Sequence, residues 1–139
     1  MKHNIWYYTR LLWIKSMKVG AETGCHQMPE RSFFFKQYQF PICARCCGVL
    51  CGEILAVILF LNKKRIRHEI SFMSAGVMFF DWYIQYIGKL ESNNKRRFIS
   101  GILGGLGCWS VYLNLIEFIY KKLFKKYYII KIINNKEEN

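Results

Sequence analysis

Acidic residues are scarce in this chain of 139 residues: nine Asp and Glu stand against 21 Lys and Arg, and the formal net charge is +12. A soluble nucleic-acid-binding domain is also basic, but its cations share a surface with scattered apolar residues. Here 53% of the residues are hydrophobic, and they come in runs of nearly membrane-spanning length. The sequence therefore argues against a nucleic-acid partner and favours a small protein of the lipid bilayer.

Proline is rare, and the chain has neither an internal repeat nor a low-complexity linker. Its length leaves room for one domain, residues 1–139. Three apolar runs approach the roughly 20 residues with which a helix spans a bilayer. We predict an all-α fold without a β-sheet, in which the transmembrane helices are residues 46–61, 70–88 and 98–120. A soluble bundle is disfavoured because its helices usually keep a polar stripe, which these runs nearly lack.

The regions outside these runs have their own character. In residues 1–23 the cations fall on one arc of a helical wheel, which predicts an interfacial helix lying along the membrane surface. Arg10 interrupts its apolar stretch, so a signal peptide is not indicated, and a fourth spanning helix is the alternative. We expect residues 24–45 to form a Cys/His loop, which carries Cys25, His26 and Cys43, and residues 121–139 to form a basic tail.

Three spans place the Cys/His loop and residues 89–97 on one membrane face, opposite residues 62–68 and the tail. Cations near the spans are more numerous on the second face. The positive-inside rule then predicts a multi-pass protein of the cell membrane with a cytoplasmic tail and an extracytoplasmic Cys/His loop.

Asp81 and Gln85 are the unusual polar residues of the second run. A carboxylate in lipid costs about 2.5 to 3.5 kcal/mol, so Asp81 should face the other helices and find a partner. We expect it within reach of Arg31, Arg45 or Arg97. A purely structural hydrogen bond between helices is the alternative.

Small residues line the first half of the third run, where Gly101 and Gly105 form a G-x-x-x-G pair. Such a pair lets another helix approach closely. The partner is a helix of the same chain, carrying Asp81 or Cys46, or the same face of a second copy in a homo-oligomer.

Cys43 and Cys46 form a C-x-x-C, and Cys25 and His26 precede them. Pro41 suits the first turn of a helix, which would put both thiols of the C-x-x-C near its positive end. Three thiolates and one imidazole make a tetrahedral shell that suits Zn²⁺. The same thiols could instead carry out thiol-disulfide exchange, form structural disulfides or simply pack. Cys47, Cys51 and Cys108 are interpreted as small apolar fillers.

The chain resembles a family of small bacterial integral membrane proteins that is catalogued as a domain of unknown function. The resemblance covers roughly residues 20–110 and rests on C-H-Q-M-P-E-R-S-F (25–33), P-I-C-A-R-C-C-G (41–48), D-W-Y-I-Q-Y-I-G (81–88) and E-S-N-N-K-R-R-F-I-S-G-I-L-G-G (91–105). It implies a multi-pass membrane protein and no particular reaction. In the family pattern a small or apolar residue stands where this chain has Cys47, which favours Cys46 as the functional cysteine.

The unusual polar residues nearly all fall on one membrane face, so we expect them to share a site. Zn²⁺ would be held by Cys25, His26, Cys43 and Cys46. A metal-dependent membrane enzyme would use Asp81, Glu91 and Arg45 in catalysis, with Asp81 or Glu91 carrying a proton. Arg31, Gln85 and Arg97 would bind an anionic lipid or phosphate-bearing substrate. A redox protein and a structural scaffold or binding module are the alternatives.

Overall fold

The computed structural model describes the backbone of residues 2–88 and 93–137, with side chains from residue 6 to 88, from 93 to 125 and at 127. Four helices and one hairpin make up this part of the chain. Their bounds are α1 Lys2–Glu22, β1 Ser32–Phe35, β2 Tyr38–Cys43, α2 Ala44–Leu61, α3 His68–Tyr86 and α4 Asn94–Glu137, with a short 3-10 helix at Pro29–Arg31.

Helix α4 lies at the centre, with α2 and α3 packed along it. Its glycines make this possible, because a Cβ at Gly105 would lie 2.3 Å from the carbonyl oxygen of Val49, and one at Gly107 would lie 2.4 Å from that of Ser71. Gly101 and Gly105 are therefore covered by α2 within one chain. Backbones this close gain van der Waals contact that larger residues would prevent.

The prediction that no β-sheet forms is wrong. β1 and β2 pair antiparallel within the Cys/His loop, with Ser32 opposite Cys43 and Phe35 opposite Tyr38. The turn between them uses Lys36 at φ 56°. The predicted helices themselves contain no paired strands, so the hairpin adds to the helical architecture without replacing any part of it.

Helix α1 is attached to this hairpin. The indole N–H of Trp13 donates to the carbonyl of Gln39 at 2.8 Å, and the Trp13 and Tyr38 rings meet edge to face. Gly20 lies directly against Pro41, where a Cβ would be 1.9 Å from the carbonyl oxygen. The predicted N-terminal helix thus exists and holds the hairpin in place.

Two helical segments are long and apolar enough to cross a membrane, Ala44–Leu61 and Asn94–Lys125. Helix α3 does not meet the same standard in the described part of the chain, since its 19 residues include Glu69, Asp81 and Gln85. Helix α4 also continues to Glu137, well past residue 120 where the predicted span ends.

Candidate metal centre

Three cysteines converge at the junction of the hairpin and α2. The Sγ atoms of Cys25, Cys43 and Cys46 all lie within 4.8 Å of one another, and each residue is partly buried. Zinc–thiolate bonds of about 2.3 Å in a tetrahedral shell place sulfurs roughly 3.8 Å apart, so small side-chain movements would bring the three onto one ion. All six cysteines are free thiols.

The junction explains the convergence. β2 runs directly into α2, so Cys43 takes the N-cap position and Cys46 lies in the first turn of the helix. Pro41 therefore belongs to the strand, and its predicted place in the helix is wrong. Cys25 lies in the preceding loop, and its sulfur accepts a hydrogen bond from the backbone N–H of Cys43 at 3.1 Å. Such a bond to sulfur stabilises a thiolate and orients it.

Amide side chains hold the loop that carries Cys25. Gln27 donates to the carbonyls of Met17 and Pro41 at 2.7 and 2.6 Å, which links α1 to β2. Gln39 in turn donates to the carbonyl of Gln27 and to the Ser32 hydroxyl. Gln27 has φ 48°, so the backbone turns sharply just after Cys25 and His26.

His26 stands apart from the cysteine cluster. It lines the same cavity, but its ring nitrogens do not complete a four-residue group with the three sulfurs within that spacing. The sequence spacing could not reveal this, because Cys25 and His26 lie between α1 and the 3-10 helix, where no regular element fixes the directions of neighbouring side chains. Cys47 also points away, with its thiol 3.8 Å from the carbonyl of Ile42.

The surroundings of Cys43 make its thiol more acidic than usual. A hydrogen bond from the Cys46 thiol, with others from the Cys46 backbone, the Cys25 thiol and the Arg45 backbone, outweighs desolvation and lowers its pKa from 9.0 to about 5. A thiol at a helix N-terminus is expected to shift this way. The lowered pKa favours the thiolate of Cys43, which is the form that binds metals.

The cluster opens into a cavity of about 440 Å³. Most of the residues predicted for the site line it: Cys25, His26, Arg31, Cys43, Arg45, Cys46, Gln85 and Arg97. Three guanidinium groups around one cavity make it strongly cationic. The structure thus brings together side chains that are up to 72 residues apart in the chain, Cys25 and Arg97 being the most distant.

Asp81 lies beside this cavity and is buried, with 5% of its side chain exposed. Arg45 donates to its Oδ2 at 2.8 Å, which confirms the predicted pairing with an arginine. Gln85 and Ser100 donate to the same oxygen at 2.7 and 3.1 Å, and Arg96 donates to Oδ1 at 2.7 Å. One carboxylate therefore joins α2, α3 and α4 at the cysteine end of the bundle.

The other predicted side chains differ in their contacts. Arg97 donates to the side-chain amide oxygens of Gln85 and Asn94 at 3.3 Å each. Arg31 has no ion pair among the described residues. The Nε of Arg45 is buried and has no acceptor in the described part of the chain. Glu91 lies outside the described residues.

Sequence reasoning missed two partners of Asp81. Arg96 and Ser100 lie four residues apart on α4 and face the carboxylate together. That i, i+4 spacing on a predicted helix was a usable signal, because both residues share one helix face. Asn94, which donates to the carbonyl of Ser32 at 3.0 Å and ties α4 to the hairpin, had no comparable signal.

The comparisons with known proteins agree with a membrane protein. The family described as "Predicted membrane protein (DUF2085)" matches residues 25–111, which hold the cysteine cluster, the hairpin and most of the three packed helices. The chain belongs to this family. The match spans more than half of the 139 residues.

Two relatives extend the comparison. "Uncharacterized protein MJ1492" of Methanocaldococcus jannaschii is 32% identical over 109 residues, which cover 74% of this chain and 68% of that protein. An "Uncharacterized protein" of Methanothermobacter thermautotrophicus is 36% identical over 87 residues, covering 60% and 78%. Both organisms are archaea, so the expected bacterial character of the relatives is not supported. No solved structure matches the chain.

Proposed function

We propose that this protein binds a transition-metal ion, zinc by preference, at one face of the membrane, using the thiolates of Cys25, Cys43 and Cys46. The observation that carries the proposal is the mutual approach of three sulfurs from two separate segments to within 4.8 Å. An all-thiolate set suits zinc better than magnesium or calcium, which prefer oxygen ligands.

The surroundings support a site that exchanges ligands. Three protein ligands leave a fourth position open, as in catalytic zinc sites, whereas structural sites are closed by four. His26 lines the cavity and would close the site if its ring turned toward the sulfurs. The cationic cavity next to the cluster would also offset the negative charge of three thiolates on a divalent ion.

A metal-dependent enzyme acting on a phosphate-bearing or other anionic substrate is the finer proposal. The metal would supply a Lewis acid, and Arg31, Arg45 and Arg97 would bind the anion. The buried Nε of Arg45 gains an acceptor when an anion enters. Asp81 already accepts bonds from four side chains, so its contacts suit the positioning of Arg45 better than proton transfer. Glu91 is the remaining candidate proton carrier.

Metal analysis of the purified protein beside a thiol titration tests the proposal. We expect about one zinc per chain, lost in Cys25→Ser, Cys43→Ser and Cys46→Ser. Cys108→Ser and Cys51→Ser are matched controls that should keep the metal, because neither belongs to the cluster. The His26→Ala variant tests whether His26 is a fourth ligand. If the variant keeps its metal and exchanges it faster with a chelator, the site has an open coordination position; if the metal is lost, His26 closes the site.

Thiol-disulfide exchange is the second candidate, favoured by the placement of Cys43 and Cys46 at the N-terminus of α2. It predicts metal-free protein in which two of the three clustered thiols become reactive only after reduction. If the metal is bound but does not exchange, the protein is a structural scaffold or binding module. Metal-free protein with all six thiols titrating freely would contradict both the metal and the redox proposals.

A further inference from the structure

A second concave surface lies on the other side of Asp81. It is a groove of about 600 Å³ between α3 and α4, walled by Val77 and Phe80 on α3 and by Ile99 and Leu103 on α4. Phe80 and Ile99 expose 64% and 59% of their surface. The groove is therefore open along the outside of the helix pair, where a membrane protein meets lipid.

Two cationic side chains lie at one end of this groove. Lys95 and Arg96 belong to its lining and lie in the first turn of α4, which contains no acidic residue. A helix N-terminus carries a partial positive charge, so consecutive cations there oppose the helix dipole and destabilise the helix. An anion bound at the same place removes that penalty, and helix N-termini are favourable anion sites.

The apolar wall continues from the cations toward the middle of the bundle. Leu103 is nine residues from Asn94, or about 13 Å along the axis at 1.5 Å per residue. The surface thus changes from cationic to apolar over a distance that matches the passage from a lipid headgroup into its acyl chains.

We propose that this groove binds one anionic phospholipid, with its phosphate between Lys95 and Arg96 and one acyl chain along Phe80, Ile99 and Leu103. A soluble phosphate would use the cations alone and would leave the exposed apolar wall without a role. The diacyl lipid accounts for both halves of the surface.

The proposal goes beyond the metal centre and does not depend on it. The two sites are joined by Asp81, which lines the groove and bonds Arg96 with one oxygen and Arg45, in the cysteine cavity, with the other. A headgroup at Arg96 would compete with Asp81 for that guanidinium, so lipid in the groove would act on the position of Arg45.

Native mass spectrometry of the detergent-purified protein can test this with phosphatidylglycerol and phosphatidylcholine of the same acyl chains. We expect phosphatidylglycerol to bind the wild-type protein about tenfold more tightly. Lys95→Glu, at an exposed position, should abolish this preference. Lys122→Glu is the matched control, because it makes the same change on the same helix far from the groove, and it should leave the preference intact.

Arg96→Gln is a second headgroup variant and leaves Asp81 with Arg45, Gln85 and Ser100 as partners. Leu103→Trp should fill the groove and weaken binding of both lipids about tenfold. Helix content by circular dichroism shows that each variant is folded, and metal content measured on the same samples keeps this outcome separate from that of the metal proposal.

Two results would overturn the lipid site. One is an unchanged preference for phosphatidylglycerol in both Lys95→Glu and Arg96→Gln, which would place the headgroup elsewhere. The other is displacement of phosphatidylglycerol by glycerol phosphate at equal concentration, which would show that the acyl chain contributes nothing and that the ligand is a free phosphate.

Discussion

The partners of Asp81 show how much of a single residue's surroundings can be predicted from the sequence. An ionised carboxylate in an apolar run needs donors, and the arginine at position 45 was foreseeable as one of them because three spans place both residues at the same end of the bundle. Its full set of partners was not, since Arg96 and Ser100 come into reach only once the glycines let α4 approach.

Replacing Asp81 by Asn should destabilise the bundle by about 3 kcal/mol, because the change leaves the guanidinium groups of Arg45 and Arg96 without their counter-ion in a partly buried setting. The free energy of unfolding, measured by titrating micelles of the purified protein with sodium dodecyl sulfate, gives the magnitude. Glu117→Gln is the matched control, since Glu117 pairs with Arg65 and Lys121 at the opposite end and nearer to water.

The control should lose clearly less stability, because both cations that pair with Glu117 are at least half exposed and such pairs contribute little. Equal losses in the two variants would mean that the Asp81 network is no more important than an ordinary interfacial pair.

The hairpin is the element that sequence patterns did not reveal. Residues 32–43 are rich in aromatic side chains, which suit strands, but the turn lacks the Asn-Gly or Asp-Gly pair that usually marks a two-residue hairpin. Lys36 adopts the positive φ instead. Hydrogen bonds from α1 and α4 to the hairpin stabilise it in the absence of a favoured turn pair. The four helices were foreseeable because three apolar runs approach membrane-spanning length and the cations of the N-terminal segment fall on one arc of a helical wheel.

The close packing of α2 on α4 leads to a second prediction. Gly105→Ala should destabilise the protein by about 1 to 3 kcal/mol, because its Cβ would lie 2.3 Å from the carbonyl oxygen of Val49 and the helices would have to separate. Gly76→Ala is the matched control on α3, since nothing lies within 4 Å of its Cβ.

In Gly76→Ala the gain in helix propensity should stabilise the protein by about 0.5 to 1 kcal/mol. The same detergent titration measures both variants. A change of the same sign in both would show that the close contact between α2 and α4 does not limit the packing.

For the whole molecule, the position of α3 decides how often the chain crosses the membrane. Its composition alone does not mark it as a span. The contacts of α3 do favour a membrane-spanning helix. Its first residues lie near Arg65 and Glu117 at one end of the bundle, and its last turn reaches the cysteine cavity at the opposite end. At 1.5 Å per residue its 19 residues cover about 28 Å, close to the hydrocarbon thickness. Because α3 packs along the apolar helix α4, from Ser71 against Gly107 to Asp81 against Ser100, we propose three transmembrane helices.

Impermeant maleimide labelling in sealed vesicles tests this with single cysteines at Lys63, Lys95 and Lys122, introduced after all six native cysteines are replaced. Three spans put positions 63 and 122 on one face and position 95 on the other. If α3 does not cross, positions 63 and 95 share a face and position 122 lies opposite. The three-site pattern therefore separates the two topologies without any assumption about orientation, and retained helix content by circular dichroism shows that the cysteine-free background is folded.

The same labelling gives the orientation. With three spans, Lys63, Lys64, Arg65 and Arg67 after α2 share one side with Lys121, Lys122 and Lys125, and the positive-inside rule then predicts that positions 63 and 122 are cytoplasmic and position 95 is outside. Inside-out vesicles should then label 63 and 122, and right-side-out vesicles 95. The reverse pattern would put the cysteine cluster on the reducing side of the membrane, where metal binding by the thiols is favoured over disulfide formation.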